Sequence, residues 1–249
     1  MNHLDPIVIL CPMECEFSTI AAALEGKSET RLGNYLFLEG TLDGTPVVAI
    51  RCLVGMVNSV GATMLAIEKY HPRCVLIQGT AGGHAEDLHQ YDIVLGERAV
   101  ETGKFMSPHR DVGQGSRPED WKSPGAEMFV DGEVRLTRYL ECDPRLLELA
   151  EKVAYTRGKV RRGTVATGDW WNRELDRIAF LHANYGTDCE EMEGFAVYQI
   201  CRQFAVPCLC VRVISNSELY PEEEFDPATA VAAQEFCLDL MRLIGKDRV

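Results

Sequence analysis

Positive charge is scarce in this chain of 249 residues: 25 lysines and arginines stand against 38 aspartates and glutamates, a formal net charge of -13. So acidic a surface repels phosphate backbones, which argues against a nucleic-acid partner. Long apolar runs are missing as well. None approaches the roughly 20 residues that span a bilayer. Met1–Asn2–His3–Leu4–Asp5–Pro6 carries no basic segment, and the apolar run behind it is too short for a secretory signal. The expectation is a soluble, cytoplasmic protein with no membrane partner. The 10 cysteines include no CxxC pair and the six histidines are scattered, so no metal site is expected. Cys11, Cys52, Cys74, Cys189, Cys208 and Cys210 lie in or beside apolar strand-like runs, where free thiols in a reducing compartment act as small hydrophobes. No linker, repeat or low-complexity tract interrupts the chain, so one domain over residues 1–249 is expected. What remains, 46% hydrophobic and 25% charged, is the balance of a globular protein with a substantial core.

Ile7–Cys11, set between Pro6 and Pro12, reads as a buried strand, and Glu14–Leu24 as a helix ending near Gly26. Tyr35–Glu39 and Val47–Cys52 read as strands joined through Asp43–Gly44, a hairpin signal. A helix follows over Val57–Tyr70, then strands at Cys74–Ile77 and Ile93–Leu95. Residues 102–128 are rich in glycine, proline and charge, the pattern of a lid or interface loop. Pro144–Tyr155 reads as a helix capped by Asp143. Strand Lys159–Ala166, helix Asn172–Ala183, strand Cys189–Met192, helix Gly194–Phe204, strand Cys208–Ile214 and helix Pro227–Ile244 complete the chain. The alternation predicts a three-layer α/β/α domain with a central mixed sheet.

Ligands of such folds bind outside the carboxyl ends of the strands. Five strand ends deliver polar or glycine-rich groups to one rim: Met13 and Glu16; Gly79–Gly83; Thr167–Asn172; Met192 and Glu193; Ser215 and Asn216. Gly79–Gly83 has no lysine and no GxGxxG spacing, so it reads as a tight turn that lets a flat ligand approach the backbone. Glu16 is an exposed helical glutamate or a general base. Glu193 is a helix cap or a grip on sugar hydroxyls. Trp170 and Trp171 are core, or one of them stacks on a purine face.

The order of these motifs resembles the purine nucleoside phosphorylase/nucleosidase superfamily, most of all its methylthioadenosine/S-adenosylhomocysteine nucleosidase branch. Met13–Glu14–Cys15–Glu16, Leu53–Val54–Gly55–Met56–Val57, Gly79–Thr80–Ala81–Gly82–Gly83, Thr167–Gly168–Asp169, Glu191–Met192–Glu193 and Val211–Arg212–Val213–Ile214–Ser215–Asn216 carry the likeness. The resemblance implies an N-glycosyl hydrolase needing no cofactor. It implies Glu16 as activator of the attacking water and Glu193 on the ribose hydroxyls. Met192 then lies under the sugar with Glu191 nearby, while Trp171 stacks on the base and Asn172 lies at the base edge. Met13 joins the first-loop motif, and Thr80, Ala81 and Gly82 line the ribose and water side. A homodimer is implied, with residues 102–128 as the candidate partner loop. Phosphorolysis and catalytically weak nucleoside binding are the competing readings. Gln78 stands where phosphorylases often carry an arginine, and the acidic first loop repels phosphate, so hydrolysis is favoured.

One position departs from the branch. Asn216 stands where its relatives have an aspartate. An amide has no titratable proton but offers a donor and an acceptor, a pairing suited to 6-oxopurines. With Glu193–Gly194–Phe195, it also resembles the futalosine hydrolases, although Gly168–Asp169–Trp170–Trp171–Asn172 differs from them. The base therefore stays open between 6-amino and 6-oxo.

Overall fold

A computed structural model describes residues 5–247. In chain order the strands are β1 (Ile7–Cys11), β2 (Glu25–Leu32), β3 (Tyr35–Leu42), β4 (Thr45–Arg51), β5 (Cys74–Gly83), β6 (Ile93–Glu101), β7 (Ala126–Val130), β8 (Glu133–Thr137), β9 (Tyr139–Glu141), β10 (Val160–Thr167), β11 (Thr187–Glu191) and β12 (Cys208–Asn216). The helices are α1 (Ser18–Ala23), α2 (Met56–Tyr70), α3 (Pro144–Ala150), α4 (Leu175–Tyr185), α5 (Gly194–Gln203) and α6 (Thr229–Lys246). Short 3₁₀ turns occupy Glu14–Glu16 and Pro118–Asp120.

One mixed sheet runs β11-β10-β6-β12-β5-β1-β4-β3-β2, with β9 added on β6. Its centre is β5, which pairs in parallel with β1 on one side and β12 on the other. Every residue of β1 and of β12 is buried, as both faces of the sheet are covered. The sheet curls until β11, parallel to β10, also meets the end of β5 in antiparallel pairing at Gly82 and Gly83. That closure gathers the ends of β5, β11 and β12 around one spot. α2 and α5 pack together as one helical layer, while α1 and α3 pack on α6 as the other. All ten cysteines are free and nine are buried.

The glycine-rich Gly79–Gly83 is strand, not turn: β5 continues through it, paired with β12 from Arg212 opposite Gly79 to Asn216 opposite Gly82. A side chain at Gly79 would sit 2.6 Å from both Arg212 Nη1 and Glu16 Oε1, so glycine is there for room. The first helix is shorter than its pattern predicts, and Gly26 lies inside β2, an exposed edge strand. β2 carries the polar sequence EGKSETRL, which gives no alternation to read. Residues 102–128 do form a largely irregular loop, pinned by a bridge between Met106 and Lys122. It leads into a β7–β8 hairpin that turns at Asp131–Gly132, the same hairpin signal as Asp43–Gly44 but one the sequence reading passed over. Asp143 caps α3 as expected, accepting from the Arg145 and Leu146 amides.

Candidate active site

A cavity opens at the carboxyl ends of β5, β11 and β12. Its lining includes every sequence-predicted site residue: Met13, Glu16, Thr80, Ala81, Gly82, Trp171, Asn172, Glu191, Met192, Glu193 and Asn216. The sheet closure, rather than any local motif, brings them together.

Glu16 lies just past β1, in the 3₁₀ turn, and is only 1% exposed. One carboxylate oxygen accepts from the Met13 amide at 2.9 Å. The other accepts from the Thr80 amide at 2.7 Å and the Thr80 hydroxyl at 2.9 Å. Gln78 donates its side-chain amide to the Glu16 carbonyl at 2.6 Å, fixing the turn beneath it. A carboxylate has about four acceptor positions, so three are filled and one is left for an incoming O–H. The expectation of an exposed helical glutamate is thus excluded.

Glu193 precedes α5 and is buried. It accepts from the Gly55 amide at 2.8 Å and from Arg212 at 3.1 Å. Burial pushes its carboxyl up to about 7, against the pull of the Arg212 guanidinium, and the neighbouring Glu191 charge pushes the same way. Gly55 has φ near 100°, a conformation that favours glycine, and it turns its N–H toward Glu193. Asp169, at the end of β10, accepts from the next amide, Met56, at 2.8 Å. Two carboxylates therefore hold the start of α2, where the helix dipole favours negative charge.

Glu191 belongs to the scaffold behind this site. It accepts from the Thr167 hydroxyl, from the amides of Glu193 and Gly194, and from Arg212. These bonds leave it little capacity for a sugar. Arg212, which the sequence reading quoted only within a motif, is the centre of the charge network. It is 1% exposed and is paired with both Glu191 and Glu193. A buried charge must be paired, so a lone arginine in the apolar run CLCVRVISN was the signal for it.

The far end of the cavity is polar in a different way. Asn216 is 7% exposed, and its carbonyl oxygen accepts from the Ser215 hydroxyl at 2.9 Å. Its amide nitrogen has no protein partner among the described residues. Asn172 is buried and Met192 half-buried. Trp171, 63% exposed, stands at the rim edge-on to Phe225, with ring centroids 5.7 Å apart. Trp170 lies deeper, near Phe105, which also contacts Trp121 and Arg177. This cluster ties the 102–128 loop to its own chain's pocket. Arg51 is paired with Glu14 at 2.9 Å. Among the described residues, no group of three or more histidines, cysteines or carboxylates could hold a metal ion.

A model of the phosphorylase superfamily matches residues 6–244. A 5'-methylthioadenosine/S-adenosylhomocysteine nucleosidase of Aeromonas salmonicida is 32% identical over 242 residues, covering 96% of this chain and 98% of that protein. The chain belongs to the phosphorylase superfamily, in its methylthioadenosine/S-adenosylhomocysteine nucleosidase branch. Membership in this nucleosidase branch places it among N-glycosyl hydrolases. Two solved structures share the fold. The nucleosidase of Colwellia psychrerythraea, in complex with adenine, superimposes with a TM-score of 0.80 at 24% identity, covering 99% of this chain and 98% of the other. The futalosine hydrolase of Helicobacter pylori superimposes with a TM-score of 0.78 at 23% identity, covering 97% and 99%.

Proposed function

We propose that the protein hydrolyses the N-glycosidic bond of a purine ribonucleoside, with or without a 5' substituent, and releases free base and the sugar. The observation that carries this is the placement of Glu16 and Glu193 on one cavity, each carboxylate fixed by backbone amides. Cleavage builds positive charge on the sugar as the base departs. Fixed carboxylates stabilise such charge where it develops. Glu16 takes a proton from the attacking water through its free acceptor position. Glu193 accepts from the ribose hydroxyls, and Met192 packs under the ring. Trp171 covers the base from the rim, while Asn172 and Asn216 meet its edge.

Water rather than phosphate is the acceptor in this reading. The site's buried cation, Arg212, is saturated by two carboxylates, and Gln78 is spent on the Glu16 carbonyl. Incubation with a purine nucleoside panel, with and without phosphate, tests the assignment. Free ribose without phosphate is expected. A ribose 1-phosphate product that requires phosphate would overturn it, and so would tight binding with no turnover.

The same reading includes a homodimer. Leu53, Val54, Val57, Met64 and Leu65 leave an exposed apolar surface on and before α2, with Val57 at 80% exposure. Phe129, Val134 and Leu136 do the same on the β7–β8 hairpin. α2 and β7 both pack on α5. Apolar exposure on this scale marks an interaction face.

A further inference from the structure

Glu190 has no part in the hydrolytic machinery described above, yet it lines the same cavity. Successive strand residues point to opposite faces, so Glu190 and Glu191 part company at the end of β11. Glu191 turns to Arg212, and Glu190 turns to His84. His84 is 3% exposed, an unusual place for an imidazole without a task. Its Nδ1 lies 2.9 Å from the Thr187 hydroxyl, and its Nε2 lies 3.2 Å from Glu190 Oε2, close to it but outside hydrogen-bonding geometry. Asn172 donates to the same Oε2 at 3.4 Å. Glu190 Oε1 has no protein partner among the described residues.

Gly82 pairs with Glu190 across one ladder and with Asn216 across the other. A side chain built on Gly82 would stand 3.6 Å from Asn216 Nδ2 and 3.7 Å from Glu190 Cγ. The bare glycine thus separates a buried amide from a carboxylate. The Ser215 hydroxyl donates to Asn216 Oδ1 at 2.9 Å, with the Ala81 carbonyl 3.2 Å away. Asn216 therefore presents its NH₂ as a donor. Glu190 presents Oε1 as an acceptor, with Oε2 held by the Asn172 amide.

We propose that Glu190 and Asn216 together select a 6-oxopurine, Glu190 accepting the N1–H and Asn216 donating to the O6/N7 side. A lactam edge offers a donor beside an acceptor, which complements this pair. The 6-aminopurine edge offers an acceptor at N1, which meets the carboxylate as acceptor against acceptor. Asn172, which lines the cavity at the base edge, also holds Oε2, and the His84 ring packs beside Glu190. The inference rests on the purine nucleosidase reading and names its substrate class.

The test compares kcat/KM for inosine, adenosine and 1-methylinosine on the intact protein. Hydrogen-bonding sites reject analogues that lack the matched group by roughly 10⁴-fold or more. A preference for inosine over adenosine is expected, with 1-methylinosine, which has no N1–H, cleaved at least about 100-fold less efficiently than inosine. In Glu190→Val the inosine preference should vanish, and Glu190→Gln, whose carbonyl still accepts, should keep part of it. Adenosine cleaved as well as inosine would overturn the proposal, as would 1-methylinosine cleaved at the inosine rate. The second comparison needs no variant to fold. If no nucleoside is cleaved, the hydrolytic reading fails while hypoxanthine and adenine affinities, measured by calorimetry, still decide this one. Tighter hypoxanthine supports it, and equal affinities sink it.

Discussion

At the scale of single residues, three side chains carry separable consequences. Glu16 has one free acceptor position and general-base chemistry contributes roughly 10²–10⁴-fold. Glu16→Gln should therefore cut turnover by roughly 10³-fold while leaving nucleoside binding within a few-fold. Single-turnover rates beside equilibrium binding would check it, and full activity in the variant removes Glu16 as base. Glu193 sets a pH dependence. Its ordinary value is 4.5, and burial raises it to about 7 in the folded protein. The folded state thus holds a proton there that the unfolded chain has lost, so this group's contribution to stability is full below 4.5 and falls away as pH rises through about 7. The proposed grip on the sugar needs the opposite form, because an ionised carboxylate accepts from both hydroxyls. KM should fall as pH rises through about 7 while melting temperature drifts downward. A flat KM profile across that range would separate Glu193 from ribose. Asn216→Asp replaces a donor with a carboxylate and should move preference toward 6-aminopurine nucleosides. An unchanged ratio of inosine to adenosine rates would show that Asn216 does not read the base.

At the scale of elements, β12 is the strand on which the site depends. It brings Arg212 between Glu191 and Glu193 from inside a wholly buried run. Removing one partner of such a buried network typically costs about 3–5 kcal/mol, because the remaining charges lose their compensation. Arg212→Met should lose stability on that scale in urea denaturation, and should shift the Glu193-dependent KM profile to higher pH. Loss of less than about 1 kcal/mol, the value typical of an exposed pair, would mean that the network is solvated. The strand ends at β1, β10 and β12 were legible because their apolar runs stop at polar or glycine-rich groups. The continuation of β5 through Gly79–Gly83 was not. Five residues with little side-chain volume look like a turn until Arg212 and Glu16 are seen crowding Gly79. β2 was illegible for a different reason: both faces of an edge strand with a polar sequence are solvated, so no period-2 signal arises.

At the scale of the whole molecule, the exposed apolar surfaces of α2 and the β7–β8 hairpin predict self-association. Light scattering should give twice the chain mass. Val57→Glu with Leu65→Glu should yield monomers, and a monomeric unmodified protein would contradict the reading. No helix among the described residues is long and apolar enough to cross a membrane. The amino-acid sequence by itself determined the α/β class, the order of most strands and helices, and the identities of Glu16, Glu193 and Asn216 as candidates. Hydrophobic periodicity and local turn chemistry are short-range, and they suffice for that. Only the tertiary structure decided what each carboxylate meets. Glu190, Glu191 and Glu193 lie within four residues of one another, yet one meets His84, one is spent on the scaffold and one reaches the Gly55 amide before α2. Strand alternation and the closing of β11 onto β5 made that division, and both depend on partners far away in the chain.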